Sequence, residues 1–250
     1  MKSLIYRIGF WLLLPLSGAQ GLWLRRTAIR LPEASGPCSG VCGEGEPLHL
    51  LALGDSIIAG VGTGTRERSL PVQFALALAA SRACSVHWHT KGANGAGISD
   101  LLRTLGNIHP DQRADVILIS IGVNDVTGLS SMRRWRSLVG QLVLVLREKW
   151  PHAQVIFAGL PPMGMFPLPP QPLRFTLGQR AAALDSIAAG IICRQPGMRH
   201  IPTVINPLEQ EFCEDGFHPS AESCNYWALV LAQRFEADNL GLPGSYTEAK

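Results

Sequence analysis

The run Val116-Ile117-Leu118-Ile119-Ser120-Ile121 is the feature that most restricts what this chain can fold into. It is too short for a helix and almost continuously apolar and β-branched, which is the pattern of a strand buried on both faces. Such strands occur in parallel sheets covered by helices on both sides. Two further runs of the same kind, Leu50-Leu51-Ala52-Leu53 and Val155-Ile156-Phe157-Ala158, stand before and after it. Weaker strands are expected at 84–90, where Val86 and Trp88 share a face opposite His87 and His89, and at 200–205. Helical composition fills 70–80, 98–105, 131–150, 173–193 and 221–236. Strands alternating with helices of this length imply parallel βαβ units, so the expected fold class is α/β, a three-layer α/β/α sandwich.

In an open α/β sheet, ligands bind outside the carboxyl ends of the strands, and the residues at those ends carry chemistry. The first strand breaks into Gly54-Asp55-Ser56, which puts the Ser56 hydroxyl at that edge. The second leads into the glycine-rich turn Gly92-Ala93-Asn94-Gly95-Ala96-Gly97 ahead of a helix, where free backbone N–H groups suit an anion or a developing oxyanion. The third ends in Gly122-Val123-Asn124-Asp125, with a side-chain amide able to donate at the same edge. The fourth opens into a proline-rich loop from Pro161 to Pro172. Its apolar Met163, Met165, Phe166 and Leu168 are expected to wall an apolar pocket beside Ser56. Gly60-Val61-Gly62-Thr63-Gly64 invites comparison with a dinucleotide fingerprint, but its spacing is wrong and Thr90-Lys91 offers no acid for a ribose.

Near the C-terminus, Phe212-Cys213-Glu214-Asp215-Gly216-Phe217-His218-Pro219 places a carboxylate and an imidazole three residues apart in a loop. Asp215 can then hold one ring nitrogen of His218 and leave the other facing outward, which is what a serine nucleophile needs from its base.

Composition bounds the partners. The 250 residues carry a formal charge of +3 without a long basic run, and few aromatics interleave with the cations, so nucleic acid is not expected. The cluster Arg133-Arg134-Trp135-Arg136 reads as a solvated helix face. Cys38 and Cys42 have no second pair to complete a metal site, and no metal or cofactor is expected. Six cysteines fit an oxidising compartment. If the chain is exported, Cys213 and Cys224 are expected to join across the Asp215/His218 loop.

At the N-terminus, Lys2 and Arg7, an apolar stretch from Ile8 to Leu14, and Ser17-Gly18-Ala19 look like a secretory signal with a small-residue cleavage site. The alternative is a retained membrane anchor, because apolar character resumes at Leu22-Trp23-Leu24. The expected organisation is a signal or anchor at 1–24, a Pro- and Gly-rich linker at 25–47, one domain at 48–240 and a tail at 241–250. Export or membrane anchoring is the expected location, and a monomer is assumed.

Taken in order, Gly54-Asp55-Ser56-Ile57, Gly92-x-x-Gly95, Gly122-Val123-Asn124-Asp125 and Asp215-x-x-His218-Pro219 resemble the four sequence blocks of the SGNH/GDSL hydrolase superfamily, over residues 48 to about 237. Ile57 stands where the motif has leucine, and Thr90 where an asparagine is often found. The resemblance implies a flavodoxin-like fold with a five-stranded parallel sheet and a cofactor-free serine esterase. It carries over Ser56 as nucleophile, His218 as base and Asp215 as its orienter, with Ser56, Gly95 and Asn124 as oxyanion donors. The implied substrates are small-molecule or lipid esters; the stiff, apolar loop from Pro161 to Pro172, with no long amphipathic insertion to serve as a lid, predicts a preference for short to medium acyl chains. A carbohydrate O-acetyl esterase, an acyltransferase or a catalytically silent binding module on the same fold are the alternatives.

Overall fold

A computed structural model describes residues 2–109, 111–203 and 212–239, giving the backbone course alone for 2–14 and for 238–239. In chain order the elements are α1 (Lys2–Thr27), β1 (Ser39–Cys42), β2 (Pro47–Gly54), α2 (Leu70–Arg82), β3 (Ser85–Gly92), α3 (Ile98–Gly106) and β4 (Val116–Ser120). They continue with α4 (Val123–Thr127), α5 (Met132–Lys149), β5 (Gln154–Ala158), α6 (Leu173–Ile192), β6 (Met198–Ile201) and α7 (Ala221–Asn239). Among the described residues the strands form one sheet in the order β1-β3-β2-β4-β5-β6. Strands β2 to β6 pair in parallel, as the alternation implies.

The continuous apolar strands serve two cores at once, because successive side chains point to opposite faces. Leu51, Leu53, Ile117, Ile119, Val155 and Phe157 face α3, α5 and α6. Leu50, Ala52, Val116, Leu118, Ile156 and Ala158 face α2 and α7. Trp135 fills the first core, and its indole N–H donates to the Leu184 carbonyl at 2.8 Å. The chain leaves β2 to build β3 on one side and returns to build β4 on the other. The carboxyl ends of β2 and β4 thus flank the point where strand order reverses, where such sheets open a crevice.

Two expectations need correction. The sheet has six strands rather than five, because β1 joins its edge antiparallel to β3, from within the stretch expected to be a linker. The physical reason is Trp88: a Cβ on Gly40 would lie 2.6 Å from its ring, so only glycine lets β1 close over the indole. Four residues without apolar alternation, set among prolines and glycines, carry no strand signal of their own. The rest of that stretch is also engaged. Ser35 N–H donates to Gly64 O, Thr90 N–H to Cys38 O, and Arg66 N–H to Ser35 O.

The second correction concerns the cysteines. All six are free thiols, Cys213 and Cys224 included. Cys213 Sγ lies 3.2 Å from the Pro219 carbonyl and 3.5 Å from that of Gly62, and Cys224, on α7, is buried in the core shared with α2. The fifth strand, β6, sits earlier than expected, and positions 204–205 as well as the tail at 241–250 lie outside the described residues. The N-terminal α1 runs unbroken through the expected cleavage site and packs against α6. No described helix is long and apolar enough to cross a membrane.

Candidate active site

Ser56 reaches the crevice because Gly54 allows a turn that no other residue could make. Its φ is +157°, and a Cβ there would lie 1.9 Å from the Ser120 carbonyl oxygen. That carbonyl accepts the Asp55 N–H at 3.1 Å, and the chain then coils, with Val61 N–H donating to Ser56 O. Asp55 points inward. Its Oδ1 accepts the Ile57 N–H at 3.1 Å, while its buried Oδ2 has no hydrogen-bond partner. Burial pushes this carboxyl up to about 7 and the nearby Asp125 adds to the effect, against the opposing pull of the Ile57 N–H and His218.

The loop between β6 and α7 delivers the other two groups. Asp215 Oδ1 accepts the N–H groups of Phe217 (2.9 Å) and His218 (3.0 Å), which fixes the loop's turn. Its Oδ2 lies 2.6 Å from His218 Nδ1, and His218 Nε2 lies 3.1 Å from Ser56 Oγ. Burial raises the pKa of Asp215, but the hydrogen bonds from the His218 ring and from the two N–H groups outweigh it, leaving the carboxyl below its ordinary value. A carboxylate at Asp215 puts the ring proton on Nδ1 and leaves Nε2 as an acceptor for the serine hydroxyl.

Gly95 has φ +80°, a conformation that favours glycine, in the turn that follows β3. Among the described residues, neither the Ser56 nor the Gly95 N–H has a backbone acceptor. Asn124 donates one amide hydrogen to Ala96 O at 2.9 Å, which sets the plane of the amide; an amide has a second hydrogen to aim. Asp125 ties these pieces together. Its Oδ2 accepts the Ile98 N–H at the start of α3, and its Oδ1 accepts the Ser130 hydroxyl. The turn after β3 and the turn after β4 are therefore held at one spacing by a carboxylate that sequence reasoning left unassigned, and burial raises its pKa.

A cavity of about 580 Å³, its open mouth included, borders Ser56 and His218. Of the four residues expected to wall it, only Phe166 does. Met163 is in the core, Met165 is exposed, and Leu168 packs on Gly216 beneath the His218 loop. Phe166 meets the rings of Phe212 and Phe217 edge-on, at 5.1 and 5.2 Å. Ile57 and Val123 flank the opening, and α7 adds Tyr226 and Trp227. The phenylalanines stand in the quoted loop beside His218 and were readable as neighbours of the base. The α7 residues carried no such signal.

The fold and the order of these residues match known proteins. The profile of the GDSL-like lipase/acylhydrolase family covers residues 52–224. No curated protein matches at a significant level. Among solved structures, a lipase/acylhydrolase from Enterococcus faecalis is 20% identical, with a TM-score of 0.60 over 76% of this chain and 96% of that one. An extracellular lipase from Streptomyces rimosus is 20% identical, with a TM-score of 0.54 over 75% of this chain and 99% of that one. An acetylxylan esterase from Geobacillus stearothermophilus is 19% identical, with a TM-score of 0.51 over 80% and 96%. At such identities the structures bear on the fold, whereas the profile spans more than half of the chain and takes in Ser56, Asn124, Asp215 and His218: the chain belongs to the GDSL-like lipase/acylhydrolase family.

Proposed function

We propose that this chain is a serine esterase that cleaves short- to medium-chain carboxylic esters through an acyl-enzyme. The observation that carries the reading is the hydrogen-bonded line from Ser56 Oγ through the His218 ring to Asp215. As Ser56 Oγ bonds to the ester carbonyl carbon, its proton passes to His218 Nε2, and Asp215 steadies the imidazolium. The oxyanion is met by the N–H groups of Ser56 and Gly95 and by the free amide hydrogen of Asn124. Collapse breaks the ester C–O bond, and the leaving alkoxide takes the proton from His218. Water then repeats the cycle on the acyl-enzyme and releases the acid. The apolar, aromatic wall around Phe166 suits an acyl chain and offers few groups to hold a sugar, which favours simple esters over acetylated polysaccharide.

The test is Ser56→Ala. The variant is expected to fold with an unchanged melting curve, to lose fluorophosphonate labelling, and to retain no more than ~10³–10⁴-fold acceleration over water. Labelling that persists would remove Ser56 as nucleophile. A wild type inert to esters, thioesters and acetylated sugars alike would point to a binding module, and turnover confined to acetylated sugars would point to a carbohydrate esterase.

A further inference from the structure

The part of helix α1 whose side chains are described, 15–27, is turned the wrong way round for a helix docked on a protein. Ser17, Gln20, Gly21 and Leu24 recur at three- and four-residue intervals and so share a face. That face is turned to the domain. Ser17 is 4% exposed, and Gln20 is half-buried. The Gln20 amide donates to Gln171 O at 2.8 Å, its oxygen accepts the Leu173 N–H at 3.1 Å, and Leu24 packs on the core beneath α6. At the helix end, Arg25 reaches the Thr127 carbonyl that closes α4. Most of the large apolar side chains here are on the outside, Leu24 excepted: Leu16, Leu22 and Trp23 are 53%, 59% and 58% exposed. A soluble surface is expected to show the opposite arrangement.

Charge says what the outer face meets. No acidic residue precedes Glu33 in the sequence, whereas Lys2, Arg7, Arg25, Arg26 and Arg30 are basic. Arg26 lies between Leu22 and Trp23 around the helix, and both it and Arg30 are exposed. An apolar stripe interleaved with cations and free of anions complements a lipid interface with anionic headgroups, where leucine and tryptophan sink to the acyl boundary and arginine meets phosphate. The placement also relates to the crevice. Gln20 holds the end of the loop that carries Phe166, and Arg25 holds the end of the short helix that begins with Val123; Phe166 and Val123 line the cavity. Exposed Met165 on that loop and exposed Leu129 just past Thr127 extend the apolar surface along the same two elements.

We propose that α1 is an interfacial helix. Docked side-on against α6 and α4, it lies in the headgroup layer of an anionic phospholipid bilayer and holds the crevice mouth beside that surface. The binding is independent of the esterase reading, and only the benefit of meeting lipid esters there rests on it.

Flotation of the full chain with vesicles tests this without any activity assay. Vesicles of phosphatidylcholine with phosphatidylglycerol are expected to carry the protein up the gradient, and pure phosphatidylcholine or high salt to carry less. Leu22→Glu with Trp23→Glu is expected to lower the partition coefficient by roughly 100-fold. Arg26→Glu with Arg30→Glu should lower it by roughly 10–30-fold on anionic vesicles alone. Both variants change exposed side chains, so melting curves should match the wild type and thereby certify the fold. Flotation that is absent in the wild type, or unchanged by Leu22→Glu/Trp23→Glu, would overturn the proposal. So would a wild-type dimer that the same pair converts to monomer, because the face would then be a self-interface. An exported protein whose sequence starts after Ala19 would overturn it as well.

Discussion

Asp55 is the residue whose ionisation the fold opposes most plainly. Its Oδ2 is buried without a partner, and burial lifts the carboxyl to about 7 from an unfolded value near 3.9. Between roughly pH 4 and pH 7 the native state therefore keeps a proton that the unfolded chain has released. Stability from this group is complete below about pH 4, falls as pH rises through about 7, and is flat above. Asp215 runs the other way: its lowered pKa contributes stability above the ordinary carboxylate range, which is lost as pH falls through its folded value. Asp55→Asn keeps an acceptor for the Ile57 N–H and removes the charge. Its melting temperature should equal that of the wild type near pH 4 and exceed it at pH 8, by the equivalent of a few kcal/mol, on the order expected for a shift of this size. Parallel melting curves from pH 4 to 8 would show that Asp55 does not titrate as inferred.

At the scale of elements, the loop between β5 and α6 was expected to present four apolar side chains to the crevice, and it presents one. A 3-10 turn at Met163–Met165 rotates Met163 inward to the core and Met165 outward, leaving Phe166 on the cavity wall against Phe212 and Phe217. Local sequence shows which residues are apolar but not the rotation of a short irregular segment. Phe166→Ala should shift the chain-length optimum of p-nitrophenyl esters toward longer acyl groups, with kcat/KM changing severalfold per carbon, since each methylene is worth only about 1 kcal/mol. The same change should lower stability by roughly 3–5 kcal/mol, because a buried ring is removed and the rings of Phe212 and Phe217 lose their partner. Met165→Ala, on an exposed side chain, should alter neither. An optimum that ignores Phe166→Ala would remove this corner from the acyl site.

For the whole molecule, the segment before β1 has the most consequence relative to its composition. The buried Arg66 guanidinium donates to Ala59 O at 2.8 Å and to Ala34 O at 3.1 Å, joining that segment to the coil that follows Ser56. Glu33 accepts the Asn94 N–H in the turn that carries Gly95, so one extended stretch braces two sides of the crevice. Arg66→Ala leaves the Ala34 carbonyl without its donor and the Ala59 carbonyl with the Ala34 N–H alone, and is expected to cost roughly 1–3 kcal/mol, read as a lower midpoint in urea. Arg66→Lys should recover less than half of that, because an ammonium on a flexible stem cannot span both carbonyls as the planar fork does. A wild-type midpoint in either variant would show the clamp to be dispensable.

Strand composition and the polar residues that end each strand were sufficient for the α/β class, the parallel pairing of β2 to β6 and the candidates Ser56, Gly95, Asn124, Asp215 and His218. These follow from local rules: continuous apolar runs must be covered on both faces, and turns at one sheet edge share that edge whatever lies between them. The parts that could not be read depend on contacts between residues far apart in the chain. Gly40 makes a strand only because Trp88 lies beneath it, Asp125 matters only because Ile98 N–H meets it, and Tyr226 and Trp227 reach the cavity only because α7 packs beside α2. The outward turn of Leu22 and Trp23 is of the same kind. A hydrophobic pattern shows that a helix has an apolar side, and only the docking of Ser17 and Gln20 on α6 decided which side was left to face outward.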